Sequence, residues 1–188
     1  MSMFPPRPTE LLHSLLRECI TPGDLAVDAT AGNGHDTCFL ADAVGTAGRV
    51  IAIDIQEKAI STTRTRLEGL GLLERTSLHQ GSHTDIREFI GDGVPAVIVF
   101  NLGYLPGGDR SVITTTEGTL AALSCSVEIL RPGGALAVVC YPGHAGGDVE
   151  SAVVENFIAA MPLLRTARYS MVGTQKPSPF LLVSWKRM

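Results

Sequence analysis

Two clusters of residues in this sequence have the types and spacing to do chemistry. The first is Asp28-Ala29-Thr30-Ala31-Gly32-Asn33-Gly34-His35-Asp36-Thr37, where two acids bracket a Gly-x-Gly turn. The second is Asn101-Leu102-Gly103-Tyr104, an amide and an aromatic that close the apolar run Val97-Ile98-Val99-Phe100. Glycines let a chain bend sharply and bring its backbone against a ligand. A carboxylate about 4 Å from a phosphate costs on the order of 4 kcal/mol at an effective dielectric of 20. Asp28 and Asp36 therefore disfavour a diphosphate, and Thr37 stands where a dinucleotide fold wants its third glycine. The same acids favour a ligand with an amino group and a sulfonium, which is S-adenosylmethionine. Asp54 ends the next apolar run, 20 residues after Gly34, where a carboxylate can accept both ribose hydroxyls. Plainer roles remain open for each: helix-dipole compensation for Asp36, a cap on the turn for Asp28, and a solvated strand end for Asp54.

The Asn101 cluster fits amine chemistry. An attacking nitrogen must be neutral, with its lone pair in line with the sulfur–carbon bond. The Asn101 amide oxygen and a backbone carbonyl near Leu102 can accept its N–H bonds, and Tyr104 can stack on a planar base. Positioning then supplies most of the acceleration. In this, Asn-Leu-Gly-Tyr resembles the Asn/Asp-Pro-Pro-Tyr signature of methyltransferases that modify amino nitrogens. The alternative is a plain turn at Asn101 and Gly103, with Tyr104 covering the core. Ser82 and His83 follow another strand and can hydrogen-bond or pack on an adenine; a Ser82 cap on the next helix is the competing role. His79 and His83 are four apart, but a strand–turn separates them, so no metal site is expected.

The elements that position these residues alternate. Leu11, Leu12, Leu15, Leu16 and Cys19 form one helical stripe, with Thr9 as a candidate cap. Strands are predicted over 25–30, 49–55, 76–80, 95–101 and 135–141. Helices are predicted over about 34–44, 56–69, 83–90, 115–130 and 146–161. Two last strands, near 164–172 and 179–186, are joined without a helix and should form a hairpin that adds an antiparallel strand. The pattern predicts a seven-stranded, mostly parallel sheet with helices on both faces, and ligands at the carboxyl ends of its strands.

The 188 residues suit one domain, 1–188, with the segment 1–22 packing on it as an N-terminal helix. With 45% hydrophobic and 18% charged residues the chain reads as globular. No apolar run approaches the roughly 20 residues of a membrane span, and no signal peptide is evident. Cys19, Cys38, Cys125 and Cys140 form no C-x-x-C pair and fit reduced thiols in the cytoplasm. A net charge of -4 disfavours wholesale coating of a nucleic acid but allows a local basic patch. Arg110, Arg165, Arg168, Lys176, Lys186 and Arg187 are the candidates for one.

Together, "VDATAGNGHDTCFLA", "NLGYLPGGD" and "YPGHAGGDVE" resemble the rRNA-methylase-like family. That family includes bacterial methyltransferases of 5-aminomethyl-2-thiouridine at tRNA wobble position 34. The resemblance runs from the first helix to the last strand. It implies a class I, Rossmann-like methyltransferase fold, S-adenosylmethionine as donor, an exocyclic amine in the tRNA anticodon stem-loop as acceptor, and a homodimer. It matches Asn33, His35, Asp36, Asp54, Gln56, Ser82 and His83 to cofactor-contacting positions, beside Asp28, Gly32 and Gly34 of the turn. It matches Asn101, Tyr104, Tyr141 and His144 to the catalytic, substrate side. An rRNA methyltransferase, a small-molecule amine methyltransferase and a non-catalytic cofactor-binding module are the alternatives.

Overall fold

The structure is a computed structural model that describes residues 6–103, 115–143 and 146–188. Tyr104, Arg110 and His144 lie outside the described residues. The chain runs α1 (Pro8–Arg17), β1 (Leu25–Asp28), α2 (His35–Ala43), β2 (Arg49–Asp54), α3 (Glu57–Leu70), β3 (Thr76–Gln80), α4 (Ile86–Ile90), β4 (Val97–Asn101), α5 (Thr116–Ile129), β5 (Ala135–Cys140), α6 (Gly147–Ala159), β6 (Leu164–Ser170) and β7 (Phe180–Lys186). Short 3₁₀ turns precede β3 and α4.

The seven strands form one sheet in the order β3-β2-β1-β4-β5-β7-β6. β1 to β5 are parallel, and β7 runs antiparallel to both β5 and β6. The hairpin and its antiparallel strand are as expected. The chain order reverses between β1 and β4, so a crevice opens at their carboxyl ends.

Successive side chains of a strand point to opposite faces, and this alternation aims the site. Ile98 and Phe100 pack into a core with Val27, Ile53, Ile86, Leu123 and Ile158, under α4, α5 and α6. Val97 and Val99 face the other way, into a core with Leu12, Leu16, Leu40 and Val139, under α1 and α2. Asn101 is next in the register of Val97 and Val99, so the same alternation sends its amide toward α1 and α2. Tyr141 follows Ala137 and Val139 to that face as well.

Two boundaries differ from expectation. α1 starts at Pro8 with Arg7 as its cap, so Thr9 is already helical. Proline lacks the N–H that a first-turn residue would leave unpaired, and its fixed φ suits that position. Glu10 completes the turn by accepting the Arg7 N–H at 3.1 Å. β1 stops at Asp28 because the Asp28 carboxylate takes the Thr30 N–H at 3.2 Å, an Asx-type turn that ends the extended run.

α1 is held on the sheet chiefly by Leu12 and Leu16, both fully buried. Leu12→Ala should therefore cost about 2–5 kcal/mol in stability. Urea unfolding monitored by circular dichroism checks this, with a loss under about 1 kcal/mol ruling out a docked helix.

Candidate active site

A cavity of about 670 Å³ occupies the crevice at the carboxyl ends of the strands. That lies within the range of small-molecule and cofactor sites. Gly32, Asn33, His35, Asp36, Asp54, Gln56, Ser82 and His83 all line it, together with Asn101 and Tyr141. Residues that local sequence patterns did not single out line it too. Arg7, Thr9, Glu10 and His13 come from the start of α1, and Thr115 and Gly118 from the start of α5.

The turn after β1 is shaped by backbone geometry. Gly32 and Gly34 have φ of 54° and 79°, a region costly for other residues. A side chain on Gly34 would also meet the Thr63 backbone at 3.0 Å. Asp54 braces this turn from the end of β2: its carboxylate accepts the Gly32 N–H and the Gln56 N–H, each at 2.9 Å. Each oxygen keeps a second lone pair, so both can also accept hydroxyls from a ligand in the cavity. Arg66 closes the back of the turn by donating to the Asn33 carbonyl at 2.8 Å.

Asp28 and Gly34 are placed differently from expectation: neither is among the lining residues. Asp28 is fully buried beneath the turn and accepts the Thr37 hydroxyl at 2.6 Å. It holds the turn to α2 from beneath. Burial pushes its carboxyl up from 3.8 to about 7, with the Asp36 carboxylate adding to the rise.

Asp36 is the centre of a second cluster on the cavity wall. One of its oxygens lies 2.5 Å from His13 Nε2, and the other accepts the Asn101 amide N–H. The Asn101 amide oxygen accepts the Tyr141 hydroxyl at 3.3 Å, and the Asn101 backbone N–H donates to Thr30 Oγ1 at 2.6 Å. The amide is thus fixed in one orientation. Burial and the Asp36 charge push the Tyr141 phenol up, so Tyr141 stays protonated as the donor.

His83 stands on the opposite side, edge-on to Phe100 at 5.9 Å. Burial lowers its pKa against the pull of Asp54 and Asp85, which keeps the ring neutral for packing. Ser82 also caps the turn before α4 by accepting the Thr84 N–H at 3.1 Å, so its bland role is real alongside its place on the wall. Among the described residues, no group of three or more His, Cys, Asp or Glu side chains comes together to hold a metal.

Of the expected basic patch, Arg165, Lys186 and Arg187 share one end of the hairpin, since Arg165 pairs with Trp185 and the Arg187 N–H donates to the Leu163 carbonyl. Lys186 pairs with Leu164 at one end of the hairpin, and Ser170 with Phe180 at the other, roughly 20 Å away at about 3.3 Å per residue. Lys186 spends its ammonium on the Glu128 and Leu130 carbonyls. Arg168 lies over Phe180 and pairs with Glu155 at 2.9 Å.

Residues 50–184 match the family described as "Putative rRNA methylase". The chain belongs to that family. A relative in Arabidopsis thaliana, the chloroplastic tRNA (mnm(5)s(2)U34)-methyltransferase, is 39% identical over 95% of this chain and 69% of its own length. A "putative rRNA-methylase" structure from Clostridium thermocellum is 36% identical, covering 98% of this chain and 100% of its own, with a TM-score of 0.94. A "putative methyltransferase" from Streptococcus mutans in complex with SAH is 35% identical over 97% of this chain and 99% of its own, with a TM-score of 0.87. The fold is that of class I methyltransferases and the cofactor is S-adenosylmethionine. The cavity fits this group: among the described residues, Glu10, Asp36 and Asp54 are opposed by Arg7 as the one Lys or Arg on its lining, a balance that favours a cationic ligand.

Asp28 sets a pH dependence. Its folded pKa lies above the unfolded value, so its contribution to stability is complete below about pH 4 and is lost as pH rises through about 7. Asp28→Asn removes that loss. Urea midpoints should shift in favour of the variant between pH 4 and 7 and hold a constant offset above pH 8; parallel curves would refute the burial of an ionisable Asp28.

Proposed function

We propose that this chain is an N-methyltransferase acting on tRNA, and that it methylates the aminomethyl group of 5-aminomethyl-2-thiouridine at the wobble position. The observation that carries this reading is the Asn101 amide. It sits at a strand end on the cavity wall, its N–H given to Asp36 and its oxygen turned toward Tyr141. A carbonyl oxygen has two lone pairs. The one left by Tyr141 can accept an amine N–H and aim the nitrogen's own pair. The name of the Arabidopsis relative supports the same acceptor.

The division of labour follows from the geometry. Asp54 would take the ribose hydroxyls, with Gln56 beside it and Ser82 and His83 at the base. Gly32, Asn33 and His35 form the turn against the donor, and Asp36 offers its charge near the reacting centre. When bound, S-adenosylmethionine supplies a methyl group already activated by a positive sulfur. This chain's residues need only bind, orient and exclude water. Tyr104 and His144 complete the substrate side in this reading. A single domain, a homodimer and a cytoplasmic location belong to it as well.

A small-molecule amine acceptor is a second reading. It is favoured by the -4 net charge and by the Lys186 ammonium being taken up by the Glu128 and Leu130 carbonyls. The two separate cleanly. Labelled S-adenosylmethionine with tRNA bearing the unmethylated aminomethyl group should place label on the wobble nucleotide, at a rate that falls steeply with salt. Label on ribosomal RNA or a free amine alone would reject the tRNA reading.

Asp54→Ala tests the cofactor end. Loss of the ribose acceptor should weaken S-adenosylmethionine binding by about 2 kcal/mol or more, roughly thirtyfold. Calorimetric titration measures it, and an unchanged affinity would contradict the assignment.

A further inference from the structure

An alkylamine in water is an ammonium ion, and an ammonium nitrogen has no lone pair. Methylating it to a secondary ammonium releases one proton per turnover, and that proton needs an acceptor. Asp54 ends β2, which β1 separates from the strand that carries Asn101. His83 packs against Phe100, which faces away from Asn101. Tyr141 is a committed donor to Asn101.

Asp36 is built differently. Its side chain is 11% exposed, it lines the cavity, and one oxygen already touches the amide that would orient the amine. The other oxygen is 2.5 Å from His13, whose ring is 31% exposed. His13 is held there by stacking on Phe39 at 4.1 Å. The pair therefore links a shielded oxygen beside Asn101 to solvent, across two different helices.

Resting on the amine-methylating reading, we propose that Asp36 accepts the proton of the amine, and that His13 is the positioning residue that shares a proton with Asp36 and passes the released one to water. The amine N–H bond breaks with its electron pair left on nitrogen, and the proton joins an Asp36 oxygen. That pair becomes the new N–C bond, while the pair of the donor's S–C bond stays on sulfur. The proton then leaves through the imidazole, and Asp36 is a carboxylate again.

Other groups share the field of the pair. Arg7, Glu10 and Arg17 face it from α1, with Arg17 over the Phe39 ring at 5.3 Å. His35 lines the same wall from α2, and Asp28, Asp54 and Tyr141 lie at the strand ends.

The test is His13→Gln. A glutamine amide can donate to Asp36 from nearly the same place but does not titrate. The variant should bind S-adenosylmethionine and tRNA as the wild type does, yet transfer the methyl about a hundredfold more slowly in single turnover. Its rate should recover toward alkaline pH, where the amine ionises unaided. A second variant, His13→Ala, should regain rate on addition of imidazole. Wild-type rate and pH profile in His13→Gln, or no imidazole rescue of His13→Ala, each overturn the proposal. If wild-type enzyme leaves the aminomethyl tRNA unmethylated, the reading of function falls instead, whatever His13→Gln does.

Discussion

A carboxylate removed from water must be met by partners or it destabilises the fold. Asp36 is 9% exposed, and its partners come from two different elements: His13 on α1 and Asn101 at the end of β4. Satisfying this one side chain brings the N-terminal helix, the glycine turn and the fourth strand into register. It also fixes the Asn101 amide, because only the N–H end can face a carboxylate. Asp28 lies beneath, and a second full charge there would repel the first. Holding a proton near neutrality is how the structure tolerates two acids eight residues apart around one turn.

The cofactor and substrate ends use the same device with different elements. Asp54 grips two backbone N–H groups and shapes the turn from β2, just as Asp36 grips an imidazole and an amide from α2. In both cases an acid that a ligand would use is first used by the fold. The ligand therefore meets groups already oriented, and little side-chain entropy remains to be lost on binding. The alternation of β4 separates the two ends. Phe100 backs the His83 side, and Asn101 turns the opposite way, toward α1 and α2.

Most of this was legible in the residues because the signals are local. Apolar runs bounded by glycine and proline marked the strands and helices to within a residue or two. The alternation pointed to a mostly parallel sheet and the short last connection to a hairpin, and acids around Gly32 and Gly34 pointed to a cationic ligand. The missing part is tertiary. His13 reads as one polar residue beside a leucine stripe. Only the docking of Leu12 and Leu16 on the sheet turns that edge of α1 over the crevice. Asp28 looked like a ligand contact because it stands next to the turn in the chain, but the Thr37 hydroxyl draws it beneath the wall.

The order β5-β7-β6 also governs how the sheet can be assembled. β6 emerges from the ribosome first, yet its place is at the outer edge, against a strand not yet made. Until β7 arrives, β5 keeps an open flank of unpaired N–H and C=O groups and β6 has nothing to pair with. β7 is thus an inner strand that follows an edge strand in the chain, and it closes the flank of β5, the strand that leads into Tyr141.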